Sequence, residues 1–168
     1  MKNRTLMQFF EWYLPADGTH WTHVKKEAKK LAADGINMVW LPPAYKGASG
    51  VHDVGYGVYD VYDLGEFDQK GTIPTKYGTK EDYLMAIRAL QNEGIEVLGD
   101  IVLNHRMGAD ETETVEAVEV NRRNRLHDIS GTQQISAWTK FTYPGRDKAY
   151  SDFVWQARHF DGVDWDDK

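Results

Sequence analysis

Two stretches of the chain repeat one pattern: apolar residues at helical spacing, a glycine, then a short apolar run. In the first, Trp21, Val24, Ala28, Leu31 and Ala32 fall on one face of a helix that starts near Thr19, and Lys25, Lys26, Lys29 and Lys30 take its wet side. Gly35 ends this helix. Ile36 to Leu41 follow as a strand closed by Pro42 and Pro43, which supply no ladder donor and bias the residue before them away from helix. In the second stretch, Thr79-Lys-Glu-Asp82 has the form of a capping box, and Tyr83, Leu84, Ile87 and Leu90 make the apolar stripe. Gly94 stops the helix, and Ile95 to Asn104 form the next strand. With Thr5 to Tyr13 as the opening strand, the order β-α-β-loop-α-β predicts an α/β fold of parallel strands joined by right-handed crossovers. The strand ends bearing Glu11-Trp12-Tyr13, Leu41-Pro42-Pro43 and Asn104-His105 are expected on one rim. Periodicity alone leaves an open sheet and part of a barrel equally open. Three such strands cannot close a barrel, whose usual length is about 250 residues.

The stretch from Ala44 to Tyr77 is irregular and rich in glycine, a length of loop that in compact domains is usually functional or disordered. Tyr56, Tyr59 and Tyr62 argue for ordered packing. After His105 no convincing amphipathic helix appears, and short strands are expected at Thr114 to Val120, Ala137 to Tyr143 and Phe153 to Phe160. In the first of these, Val115, Ala117 and Val118 alternate with the glutamates only after a slip, which leaves room for a bulge. The expected division is therefore 1–105 and 106–168.

Composition narrows the function classes. Twenty basic against 26 acidic residues give a formal charge of -6, which argues against a nucleic-acid or anionic-membrane partner and suits a neutral substrate or a cation. No apolar run is long enough to span a membrane. The absence of cysteine removes disulfides, thiolate metal sites and cysteine nucleophiles. Met1-Lys-Asn-Arg shows no signal-peptide pattern, so a cytoplasmic product is expected if Met1 is the native start.

Candidate chemistry gathers at Asp100-Ile-Val-Leu-Asn104-His105, where an acid, an amide and an imidazole lie within six residues. In a strand, alternation sends Asp100, Val102 and Asn104 to one face and leaves His105 at the exit. Polar groups at the C-terminal ends of strands are where α/β barrels keep their chemistry. Taken singly, the other candidates have plain readings: Tyr56 in Gly55-Tyr-Gly57 as a packed loop tyrosine, Asn104 as a turn former, and Asp161 as a solvated turn carboxylate.

Six ordered motifs together resemble bacterial α-amylases of glycoside hydrolase family 13, nearest the liquefying and cytoplasmic group. They are Gln8-Phe-Phe-Glu-Trp12, Asn37-Met-Val-Trp-Leu-Pro-Pro43, Val54-Gly-Tyr-Gly-Val-Tyr-Asp60, Tyr62-Asp-Leu-Gly-Glu-Phe67, Gly71-Thr-Ile-Pro-Thr-Lys-Tyr-Gly78 and Asp100 to His105. The resemblance implies the first three strands of a (β/α)8 TIM barrel in 1–105 and the start of an inserted β-rich domain B in 106–168. It implies retaining hydrolysis of internal α-1,4-glucosidic bonds in starch- or glycogen-type glucans. It assigns Tyr56 and His105 to substrate binding, Asp100 to support of the strand-end network, and Asn104 and Asp161 to a calcium site.

The family's nucleophile and acid/base carboxylates follow the fourth and later strands and match nothing in this chain. A retaining site needs two carboxyl groups roughly 5 Å apart. The 168 residues are thus expected to be the N-terminal fragment of an α-amylase, inactive alone and in need of the remaining barrel. Two alternatives stay open: a short non-catalytic glucan- or calcium-binding module, and part of a related transglycosylase or isomerase.

Overall fold

The computed structural model describes residues 3–168; the N-terminal reading rests partly on Met1 and Lys2, which lie outside them. Two compact units are present, one running up to Gly108 and including Gly145–Tyr150, the other formed by Ala109–Pro144 and Ser151–Lys168. The boundary thus falls after Gly108, where the sequence pattern places it after His105. Met107 N–H donates to the Val58 carbonyl at 2.7 Å within the first unit.

The first unit contains β1 (Leu6–Gln8), α1 (His20–Ala33), β2 (Met38–Leu41), β3 (Lys46–Gly47), β4 (Val58–Asp60), α2 (Lys80–Asn92) and β5 (Glu96–Gly99). Strands β1, β2 and β5 form a parallel sheet in that order, with Val39 between Met7 and Val97. The alternation of helix and strand therefore gives the expected parallel α/β arrangement. All three strands are shorter than the apolar runs that predict them. After Phe9 donates to the Trp40 carbonyl, the chain turns at Glu11, whose carboxylate accepts from Tyr13 N–H at 2.6 Å. At the other edge, the Asp100 N–H to Leu41 carbonyl bond is the last of the ladder, and Val102 N–H donates instead to the Tyr45 hydroxyl at 3.0 Å. Residues 100–105 are thus not a strand, because no ladder partner faces them, and Ile101 and Leu103 are exposed.

Helices α1 and α2 pack Trp21, Val24, Ala28, Leu31, Ala86 and Leu90 against Val39, Leu41 and Ile95. Full burial of side chains the size of Val24 or Leu90 is worth about 1.5 to 3 kcal/mol each. The capping box of α2 forms, with Asp82 N–H donating to Thr79 Oγ1 at 3.2 Å and Thr79 N–H to Asp82 Oδ2 at 3.4 Å. One position of its stripe is corrected: Leu84 is exposed, and Ala86 is the residue buried in the core.

The glycine-rich stretch is ordered by buried charge as well as by its tyrosines. Tyr59 is buried but Tyr62 is half exposed. Lys46 Nζ, fully buried, donates to the carbonyls of Phe67 (3.0 Å), Thr72 (2.5 Å) and Ile73 (2.7 Å) and lies 3.4 Å from Asp63 Oδ2. Gln69 Nε2 donates to Asp60 at 2.9 Å and Asp63 at 3.0 Å. Arg146 Nε donates to Asp60 at 2.7 Å, fixing the Gly145–Tyr150 segment to this unit. Lys46, Asp60, Asp63 and Arg146 are each paired and hydrogen-bonded, which offsets their desolvation.

The second unit contains β6 (Glu111–Ala117), β7 (Val120–Asn121), β8 (Asn124–Asp128) and β9 (Gln133–Lys140), paired antiparallel as β6 with β9 and β7 with β8. Its core is the alternating series Ile135, Ala137, Thr139, Phe141 and Tyr143, all buried. The register shift of β6 lies between Glu111 and Thr112, earlier than the slip in the sequence pattern. Strand β8 is not marked by the hydrophobic pattern, because all its residues are exposed. Phe153 to Phe160 is not a strand either. Trp155 makes one bridge with Phe141 and a 3-10 turn follows at Ala157–His159. Its aromatic residues cluster, with Phe153 at 5.2 Å and Phe160 at 5.6 Å from the Trp155 ring, and do not line a ladder.

Candidate functional site

The ends of β1, β2 and β5 and the loop before β4 bring side chains together within the first unit. Tyr56 is the centre. Its hydroxyl donates to Asp100 Oδ2 at 2.9 Å, and its carbonyl lies 2.8 Å from His105 Nε2. The Trp12 ring lies nearly parallel to the Tyr56 ring, at an interplanar angle of 4° and a centroid separation of 6.0 Å. Trp12 and Tyr13 are exposed, at 59% and 87%, so this corner offers aromatic surface to solvent.

The hydrogen-bond pattern assigns the imidazole tautomer. A carbonyl only accepts, so His105 carries its proton on Nε2, and Nδ1 is left as an acceptor 3.4 Å from Asn104 Nδ2. Burial pushes the Tyr56 phenol up to about 12, helped by its bond to Asp100 and by that carboxylate's charge. Tyr56 is therefore a neutral donor throughout the ordinary pH range. Burial likewise raises Tyr45, whose oxygen holds Val102 N–H.

The loop is built to present Tyr56. Gly55 has φ +98°, and a Cβ there would lie 2.6 Å from Pro43 Cβ, so the residue before Tyr56 must be glycine. Asp53 accepts from the N–H groups of Ser49 (3.1 Å), Gly55 (2.8 Å) and Gly57 (3.1 Å). The Tyr77 hydroxyl donates to the Val54 carbonyl at 2.9 Å. The sequence reading gives Asp53, Tyr45 and Tyr77 no role in the site, although Tyr77 lies within the Gly71 to Gly78 motif. The one available signal was Asp53 two residues before Gly55, the spacing of a side-chain-capped turn.

The family model for the alpha-amylase catalytic domain matches residues 24–164. The chain belongs to the alpha-amylase family. It is 61% identical over 165 residues to an alpha-amylase of Geobacillus stearothermophilus, a match covering 98% of this chain and 30% of that protein. It is 57% identical over 164 residues to the glucan 1,4-alpha-maltohexaosidase of Bacillus sp. (strain 707), covering 98% and 32%. With the cytoplasmic alpha-amylase of Escherichia coli (strain K12) it shares 50% over 164 residues, covering 98% and 33%. The chain thus spans about a third of the length of these relatives. Among solved structures, a truncated alternansucrase from Leuconostoc mesenteroides NRRL B-1355 superimposes with a TM-score of 0.71 at 25% identity, over 83% of this chain and 13% of that one.

The alpha-amylase resemblance implies calcium, with Asn104 and Asp161 as ligands. Asn104 is an exposed amide in the first unit, and Asp161 an exposed carboxylate in the second. Among the described residues no group of three or more His, Cys, Asp or Glu is placed to hold a metal. Calcium takes 6–8 oxygen ligands. Asn104 and Asp161 by themselves do not complete such a set. Among the described residues no helix is long and apolar enough to cross a membrane.

Proposed function

We propose that this chain supplies part of the substrate wall of an α-glucan hydrolase that cleaves internal α-1,4-glucosidic bonds with retention. The observation that carries the reading is the convergence of Tyr56, Asp100, His105 and the exposed Trp12 at the ends of parallel strands. An exposed aromatic face beside fixed polar groups suits a neutral, hydroxyl-rich sugar. The Tyr56 ring would stack on a sugar ring. His105 would meet a hydroxyl through Nδ1, where the competing Asn104 amide sits at the longer distance of 3.4 Å. Asp100 would hold the Tyr56 hydroxyl rather than attack the substrate, since its oxygen is already engaged at 2.9 Å. In this reading the three parallel strands are the beginning of a (β/α)8 barrel, and the antiparallel unit is the start of domain B.

The 168 residues alone would not hydrolyse starch, because the family's two catalytic carboxylates match nothing in them. The test is release of reducing ends from soluble starch by the purified 168-residue chain and by the native polypeptide that carries it. No release from the first, and release of α-anomeric products from the second, is the expected outcome. Turnover by the 168 residues, or β-anomeric products from the native protein, would overturn the reading. Calcium titrated into the 168-residue chain by calorimetry should give only weak binding; a sub-micromolar site would contradict the ligand placement above.

A further inference from the structure

We propose that Asp53 and Tyr77 are positioning residues for the sugar wall, acting on the backbone at and around Tyr56. The inference rests on the reading of Tyr56 as a sugar-stacking residue. Neither side chain needs to touch substrate. Asp53 Oδ1 accepts from Gly55 N–H at 2.8 Å and from Gly57 N–H at 3.1 Å, the two amides that flank Tyr56. Its other oxygen accepts from Ser49 N–H at 3.1 Å, tying the turn back to the start of the loop. The carboxylate is enclosed as well as bonded: a Cβ at Gly47 would lie 2.1 Å from Asp53 Cγ, and one at Gly57 would lie 2.4 Å from Oδ2. Tyr77 braces the same turn from the core. Its ring is 2% exposed and lies 5.4 Å from the rings of both His20 and Trp21, while its hydroxyl donates to the Val54 carbonyl at 2.9 Å.

These bonds divide the labour at the turn. Asp100 and His105 hold the two ends of Tyr56, its hydroxyl and its carbonyl. They leave the path of the chain into and out of the residue unset, and with it the tilt of the ring. Asp53 and Tyr77 fix that path at Val54, Gly55 and Gly57. The ring face is then aligned before sugar arrives, so ordering of the loop is not charged against binding. Loss of either brace should weaken glucan binding through Tyr56 and leave the bond-breaking step nearly untouched.

The test uses the native polypeptide carrying these residues, with a chromogenic maltoheptaoside as substrate, assayed well below each variant's melting temperature. Tyr77→Phe removes one hydroxyl and keeps the packed ring. It should raise KM by about 3- to 10-fold with kcat changed little, the scale of one lost neutral hydrogen bond. Asp53→Asn keeps the shape and replaces one acceptor by a donor facing backbone N–H groups; it should act in the same direction, and it carries the test if Tyr77→Phe does not fold. The deciding variants are Tyr56→Ala alone and combined with each brace mutation. If the brace works through Tyr56, adding Tyr77→Phe or Asp53→Asn to Tyr56→Ala should raise KM no further. Additive effects would overturn the proposal, and so would brace variants with unchanged KM beside a weakened Tyr56→Ala. A Tyr56→Ala enzyme with unchanged KM would instead remove the sugar-stacking reading on which the proposal stands.

Discussion

His20 illustrates how far one side chain can depart from its type. It opens α1 at 7% exposure, surrounded by the rings of Phe9, Trp21 and Tyr77, and its Nε2 is buried with no partner. Burial holds its pKa down at about 4, and neighbouring His23 adds to the effect, against smaller raising contributions from the Phe9 backbone and Asp17. The amino end of a helix is also unfavourable to a cation. Because the unfolded imidazole titrates near 6.5, the folded state binds fewer protons between these values. The stability due to neutral His20 is therefore complete above pH 6.5 and is lost as pH falls towards about 4. Urea midpoints of the native polypeptide measured from pH 7 down should fall more steeply in the parent than in His20→Phe. Parallel curves for the two proteins would show that another group sets the acid limit.

At the level of elements, what the sequence discloses follows from how local the determining interactions are. The α2 capping box closes within four residues, so Thr79 and Asp82 announce it without knowledge of the rest of the fold. Thr79→Ala should lower stability by about 1 kcal/mol, read as a shift in the denaturant midpoint at unchanged slope; no shift would mean that Gly65 and Lys80, which join there through a backbone bond, suffice. Leu84 and Ala86 show the limit. Hydrophobicity favours the leucine, but it is the small residue that lies in the buried core, and that choice is visible only in the packed fold. The pattern overextends the strand ends for a related reason: Ile101 and Leu103 have strand-like composition, but among the described residues no neighbouring strand bonds them. In the site, Tyr56, Asp100 and His105 could be named from their motifs. The bracing roles of Asp53 and Tyr77 could not, even though Tyr77 lies within the Gly71 to Gly78 motif, since their partners are backbone groups whose positions a sequence does not state.

For the molecule as a whole, the open margins of the parallel sheet matter most. Among the described residues, strands β1 and β5 are each paired on one side only, and Leu6 and Met7 in β1 and Leu98 in β5 are exposed. Unpaired parallel edges with apolar side chains are templates for association. The 168 residues in isolation should bind a hydrophobic dye or sediment as oligomers; a monomer with a sharp cooperative melt would contradict this. Neither edge could be foreseen from hydrophobic periodicity, which marks strands but not their neighbours. The buried ions were equally hidden, for a lysine in a glycine-rich loop reads as solvated until Asp63 and three carbonyls are found around it. That enclosure makes Lys46 a chemical clock. While the loop is closed, amine-acylating reagents should mark Lys25, Lys26, Lys29 and Lys30 on the exposed face of α1 and pass Lys46 by. The rate at which its peptide gains mass then times the opening of the Asp63 to Ile73 loop that encloses it, without a crystal or a substrate.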